Sequence, residues 1–160
     1  MDGAERTGFR SVDDRPLYSG EDLHTRRFSV PKQAGKHLWF SRFIEKSIRP
    51  WSRCLLWVTD WEIWQSSVNW HLYYRVRDSY GERRLVEEAP AHLFLDFEEN
   101  DLASFVQFGL GAGWNMHVLT REDYGRVFIS HDEWVEFAMK DELELRRITK
   151  DLEGSEASVR

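Results

Sequence analysis

The chain has 160 residues, of which 41% are hydrophobic and 14% aromatic, a composition that excludes a disordered chain and fits one folded domain. Ten glycines and four prolines exclude a collagen-like sequence, and no apolar run reaches the roughly 18 residues that a membrane span needs. The formal net charge of −6 argues against nucleic-acid binding, where a basic face supplies most of the affinity, and suits a basic protein partner.

The single cysteine and the first residues of the chain bear on its compartment. Cys54 cannot form an internal disulfide, and its apolar neighbours predict a small buried side chain rather than a nucleophile. The first residues contain no apolar core of a signal peptide. We therefore expect a soluble protein of the reducing cytoplasm.

The N-terminal segment is polar and aperiodic. Residues 1–34 predict a flexible tail, which Phe28 or Tyr18 would attach to the domain. We expect residues 35–153 to form a single globular domain, and residues 154–160 to be a disordered C-terminus.

The first helix is predicted over residues 37–49, where Phe40 and Ile44 fall at helical spacing and Pro50 ends the pattern. Around it, residues 26–53 hold eight basic residues against one acid. Such a segment can bind a nucleic acid, a membrane surface or an acidic partner, or it can be a docked helix with a solvated basic face. The sequence leaves these alternatives open.

Two elements rich in tryptophan follow. Residues 54–63 predict a strand, with an apolar first half and a second half that alternates from Trp57 onwards. Residues 67–80 fit strand alternation as well as helical spacing. Their length, and the Gly81 that follows, favour a helix.

The middle of the chain predicts a strand, a helix and a hairpin. Residues 92–97 form a short strand, and the acids after it suit the start of a helix over 101–110, which a run of glycines ends. Residues 114–120 and 126–130 alternate around a loop that contains glycine, so we expect them to be antiparallel neighbours.

The last helix is predicted over residues 131–152. Residues 130–133, Ser-His-Asp-Glu, have the pattern of a capping box, in which the serine and the glutamate satisfy N–H groups of the first turn. Glu136–Lys140 and Glu142–Arg146 are i,i+4 pairs in the favourable order. A helical stripe of apolar side chains is formed by Trp134, Phe137, Ala138, Leu145, Ile148 and Leu152.

These elements predict an α+β fold. We expect a small mixed or antiparallel sheet of about four strands, packed with about four helices that include a C-terminal amphipathic helix. The order of strands and helices also permits a three-layer α/β fold.

No catalytic motif is present in the sequence. The glycine-rich run 109–113 follows a helix, whereas a phosphate-binding loop would precede one. None of the six histidines has metal-ligand spacing, so we expect no metal and no cofactor. A small enzyme would need a site that the fold assembles from separate elements. Its residues would be His71, His92 or His117 converging with Asp96 or Glu98 in a pocket.

Acids and tryptophans predict a binding surface instead. Eight tryptophans are more than a core of this size accommodates, so one or two are expected at the surface, where tryptophan is frequent in binding hot spots. The predicted binding residues are Asp96, Glu98, Glu99, Asp101, Trp61 and Trp64.

We therefore predict a non-catalytic interaction protein, such as an immunity or accessory protein, that binds a basic protein partner. The small enzyme is the first alternative. A regulatory or nucleic-acid-associated protein that uses the basic residues 26–53 is the second.

Overall fold

The computed structural model describes residues 23–60, 70–120 and 125–155. In these ranges the strands are β1 His24–Ser29, β2 Arg53–Asp60, β3 Ala91–Leu95, β4 Asn115–Thr120, β5 Gly125–Ser130 and β6 Trp134–Met139. The α-helices are α1 His37–Ser47, α2 Trp70–Ser79, α3 Glu99–Ala112 and α4 Glu142–Gly154, and a short 3₁₀ turn, Ala34–Lys36, precedes α1.

The strands form one six-stranded sheet in the order β1-β6-β5-β4-β2-β3, and every neighbouring pair is antiparallel. The α+β class and the antiparallel sheet are therefore confirmed, as is the hairpin of β4 and β5, in which Val118 lies opposite Val127. The sheet has six strands, whereas about four were predicted. The two strands that the sequence analysis missed are β1 and β6.

One face of the sheet, here called the inner face, holds the core. Its residues include Cys54, Leu56, Val118, Val127, Ile129, Val135 and Phe137. Every described helix contacts this face. The contacts are Phe43 of α1 with Phe137, Tyr73 of α2 with His92, Phe105 of α3 with Phe94, and Glu153 of α4 with Arg26. The described elements thus form two layers, and the three-layer alternative is wrong for them.

The predicted helix over 131–152 is wrong in its first half, where the chain forms β6. Residues 131–133 are the loop of a hairpin that joins β5 to β6, and Glu133 takes a positive φ of 62° there. A turn followed by one left-handed residue is a common three-residue hairpin loop. The serine that was predicted to cap a helix accepts a hydrogen bond from the Asp132 N–H (3.2 Å) within this turn.

The C-terminal amphipathic helix is confirmed as α4, and it begins eleven residues later than predicted. Asp141 is its N-cap, with a carboxylate oxygen 2.8 Å from the Leu143 N–H. Arg146 donates to Glu142 at 2.9 Å, as the spacing predicted. Glu136 instead lies on β6 and accepts a hydrogen bond from Arg27.

The sheet begins inside the segment that was predicted as a tail. β1 occupies His24–Ser29 and pairs with β6 along its whole length, and Phe28 is buried against Phe137. Residues 1–22, with Tyr18, and residues 156–160 lie outside the described residues.

The glycine-rich run 109–113 lies across the end of α3, and only its last residue, Gly113, follows the helix, which ends two residues later than predicted. Gly113 takes the left-handed conformation (φ 68°) and donates its N–H to the Gly109 carbonyl. Gly109 lies within the helix, where a Cβ would collide with the sulfur of Met116. The run therefore serves packing and the helix end.

Candidate functional site

The four predicted acids lie together at one end of the sheet, where β3 turns into α3. Asp96 follows the last residue of β3, Glu98 is the N-cap residue of α3, and Glu99 and Asp101 are in its first turn. Negative charge at this position favours the helix, because the helix dipole is positive there. Part of the cluster thus has a structural role.

Glu98 closes the turn between β3 and α3. Its carboxylate accepts a hydrogen bond from the Leu95 N–H (2.8 Å), and its own N–H donates to the Leu95 carbonyl (2.8 Å). The carboxylate of Asp101 interacts with the hydroxyl of Tyr80, and partial desolvation together with that interaction raises the pKa of Tyr80 to about 12. Both acids are engaged within the chain.

Glu99 belongs to an ion-pair network with α1. Arg49 donates to Glu99 and to Glu45, each at 2.6 Å, and so joins the end of α1 to the start of α3. Burial raises the pKa of Glu45, and the guanidinium of Arg49 opposes that rise. The basic segment 26–53 is therefore used in part to neutralise the molecule's own acids. Its Arg27 likewise donates to Glu136 at 2.9 Å.

Asp96 differs from the other three acids. It is exposed, and no hydrogen bond or ion pair engages it within the described ranges. The next residue, Phe97, is 75% exposed, the most exposed large hydrophobic side chain that the structure describes. Asp96 and Phe97 together present an unpaired charge beside an unburied aromatic ring.

The predicted aromatic anchors, Trp61 and Trp64, lie outside the described residues. A different tryptophan, among the described residues, lies beside the first residue of β3, at the end of that strand away from the four predicted acids. Trp57 of β2 is partly exposed and lies opposite Ala91 of β3, on the sheet face that the described helices leave uncovered, here called the outer face.

The register of β2 and β3 shows which main-chain groups of the edge strand point away from the sheet. The Val58 N–H donates to the Pro90 carbonyl, so hydrogen bonding to β2 falls on Pro90 and on every second residue after it. The N–H and C=O groups of Ala91, Leu93 and Leu95 therefore point outward. Glu98 engages those of Leu95, whereas nothing in the described part of the chain engages those of Ala91 and Leu93.

The side chains of this edge are apolar and its flanks are acidic. Leu93 is 38% exposed and Leu95 36% exposed, both on the outer face, where Leu93 lies opposite Leu55 and Leu95 opposite Arg53 of β2. Residues 87–101 contain six acids and neither lysine nor arginine. We call Ala91–Phe97 with these flanking acids the β3 edge.

A buried arginine holds the segment that leads into the β3 edge. The sequence analysis did not identify this arginine. Arg77 of α2 is fully buried, and its guanidinium donates to the Ala89 carbonyl at 3.0 Å. It lies 5.6 Å from the ring centres of Tyr73 and Tyr74. The local sequence does not indicate that this arginine of a helix is buried.

The three histidines of the predicted enzyme site do not converge. His71 is exposed on α2, His92 is on the inner face, and His117 is on the outer face. The Tyr73 hydroxyl lies 3.0 Å from His92 Nε2. Burial lowers the pKa of His92 and of His117 to about 4, with further lowering by Arg77 and by Arg126 respectively. Among the described residues, no three His, Cys, Asp or Glu side chains could hold a metal ion.

The outer face also carries a row of aromatic rings in mutual contact. Trp57 lies 5.9 Å from His117, His117 4.7 Å from Phe128, and Phe128 5.3 Å from Trp134, as ring-centre distances. Arg27 covers the ring of Trp134 at 4.1 Å. These rings are partly buried and already have ring or cation partners, in contrast to Phe97.

Comparison with known proteins returned no relative. No family model, no curated protein and no solved structure matches the chain. Within the described residues, no helix is long and apolar enough to cross a membrane.

Proposed function

We propose that this chain is a non-catalytic interaction protein that binds a basic protein partner at the β3 edge. The observation that carries the proposal is Phe97, three-quarters exposed beside the unpaired carboxylate of Asp96 in an acidic stretch without bases. Exposed aromatic side chains anchor protein interfaces, and complementary charge around them directs the encounter.

The acids have different roles in this proposal. Asp96 meets the partner, while Glu98, Glu99 and Asp101 hold the turn and also add to the negative potential at the surface. Trp57 adds a partly exposed tryptophan on β2, and Trp61 and Trp64 stay predicted anchors because they lie outside the described residues. An immunity protein that neutralises a basic toxin, and a cytoplasmic accessory subunit, both belong to this class.

The enzyme alternative gains no support from the described residues. The three candidate histidines do not share a surface, because the sheet separates His92 from His117. His92 is enclosed by Tyr73 and Phe105, where a substrate has no access.

Matched substitutions of two exposed hydrophobic residues test the proposal. Phe97→Ser removes the proposed anchor, and Leu143→Ser removes an equally exposed side chain (70%) on α4, away from the β3 edge. We expect a basic protein from the source cell to be retained by the wild type and by Leu143→Ser, and lost by Phe97→Ser. Its retention should also decrease as salt is raised.

Equal retention by all three proteins, or retention that does not respond to salt, would contradict the proposal. Both substitutions affect residues with little buried area, so the free energy of unfolding should change by less than about 0.5 kcal/mol in each.

A further inference from the structure

We infer that the β3 edge takes its partner by strand addition: an extended segment, alternately basic and apolar, pairs with the outward main-chain groups of Ala91 and Leu93 and extends the sheet by one strand. The inference rests on the proposed function, which it deepens by naming how the partner binds. Strand addition to an exposed sheet edge is a recurrent way of recognising extended peptides.

The geometry of the edge is the first argument. β3 is the last strand of the sheet, and the register with β2 leaves the N–H and C=O groups of Ala91 and Leu93 pointing away from it. Exposed edges that carry no partner are usually protected, because they invite pairing with other chains. Here only Leu95 is protected, by the Glu98 carboxylate on its N–H.

The side chains along the edge define the alternation in the partner. On the outer face the partner would meet Leu93 and Leu95, which favour apolar side chains. On the inner side it would approach the start of α3, where Glu99 and Asp101 lie. Since successive residues of a strand point to opposite faces, a basic residue should alternate with an apolar one.

Charge selects a foreign basic segment over a second copy of this chain. Two copies joined through their β3 edges would bring two acidic stretches together, which is unfavourable. The basic edge strand of a second copy, β1, is a poor alternative, because Arg26 pairs with Glu153, and Arg27 pairs with Glu136 and covers Trp134.

The test uses the full chain and a fluorescent peptide of about nine residues that alternates lysine and valine, with blocked ends. Its control is the same peptide with every main-chain nitrogen methylated, which keeps the charge and the side chains and removes the N–H donors. Anisotropy titrations at low salt should show binding of the first peptide and at least roughly tenfold weaker binding of the second.

Two proline variants examine the same point from the side of the protein. Leu93→Pro removes an outward N–H without removing a hydrogen bond to β2. Thr25→Pro does the same at the other edge of the sheet. The Val30 N–H donates to the Glu133 carbonyl, and hydrogen bonding to β6 alternates along β1, so the N–H of Thr25 points away from the sheet. Leu93→Pro should weaken peptide binding about tenfold or more, and Thr25→Pro less than about twofold.

The outcomes separate the two levels of the proposal. If the methylated peptide binds as tightly as its parent, and Asp96→Asn weakens both, the acidic surface is supported and strand addition is overturned. If neither peptide binds, the proposed function fails as well. If the chain assembles with itself as its concentration rises, and Thr25→Pro or Leu93→Pro prevents it, the occupant is a second copy and the inference is wrong.

Discussion

The two edges of the sheet have similar main-chain geometry and opposite surfaces. At the β1 edge, the outward groups belong to Thr25, Arg27 and Ser29, and the arginine is engaged by Glu136 and Trp134. At the β3 edge, the outward groups of Leu93 are unengaged among the described residues, and apolar side chains lie beside them.

The difference indicates which edge is available to a partner. Charged side chains on an edge strand discourage pairing with other chains, and β1 follows that pattern. The β3 edge lacks a charge on its exposed strand residues and instead has acids at both ends, which admit a basic segment and repel an acidic one.

The largest expected effect is a difference in the free energy of unfolding between a buried residue of β3 and an exposed residue of the turn that follows it. Phe94→Ala removes a buried ring on the inner face and should lower the free energy of unfolding by about 3 to 4 kcal/mol. Phe97→Ala, three residues on, should lower it by less than about 0.5 kcal/mol. Urea unfolding of the two variants measures both values, and similar losses would show that the placement of Phe97 is incorrect.

The next effect is on pH dependence. The folded pKa of His92 and of His117 is about 4, below the ordinary value of 6.5, so the unfolded chain binds more protons between these values. Stability should therefore be complete above pH 6.5 and fall as the pH decreases towards 4, by roughly 2 to 3 kcal/mol for each histidine.

The variant His92→Gln should reduce this slope, and His24→Gln, which changes an exposed residue of the β1 edge, is the matched control. Unfolding midpoints measured at intervals from pH 7 to pH 4 would show it. A slope that His92→Gln leaves intact would mean that the burial of His92 does not govern its protonation.

A smaller effect on stability should distinguish the paired acids of the β3 edge from the unpaired Asp96. Arg49→Ala leaves the buried Glu45 without its cation and should cost about 2 kcal/mol, and Glu99→Gln about 1 kcal/mol. Asp96→Asn should leave stability within about 0.5 kcal/mol of the wild type. Thermal unfolding can rank the three, and an Asp96→Asn loss as large as that of Glu99→Gln would show that Asp96 is engaged in the fold.

The elements that the sequence predicted correctly depend on local patterns, and the two strands that it missed, β1 and β6, depend on distant pairing. The stripe at 145–152 produced α4, as expected. Residues 134–139 carry both an alternation and a helical stripe, and Ser-His-Asp-Glu suits a hairpin turn as well as a helix start. Residues 134–139 form a strand because they pair with β5 and β1, and a local sequence pattern does not show this pairing.

Only the part of the candidate site that depends on local sequence could be predicted. The acids after 92–97 were readable as a cluster, but whether each is paired depends on Arg49 and Tyr80, which approach from other elements. That β3 is an edge strand depends on the strand order, which no local signal carries. Phe97 lies in the turn that follows this edge strand, where its side chain is exposed.

Amide hydrogen exchange at the two edges tests the central claim most directly. In the free protein, the N–H of Leu93 should exchange quickly and that of Phe94, bonded to β2, slowly. Addition of the lysine–valine peptide should protect Leu93 while leaving Thr25 and Arg27 of β1 unprotected. Protection that appears equally at both edges, or a Leu93 N–H that stays unprotected at saturating peptide, would contradict the account.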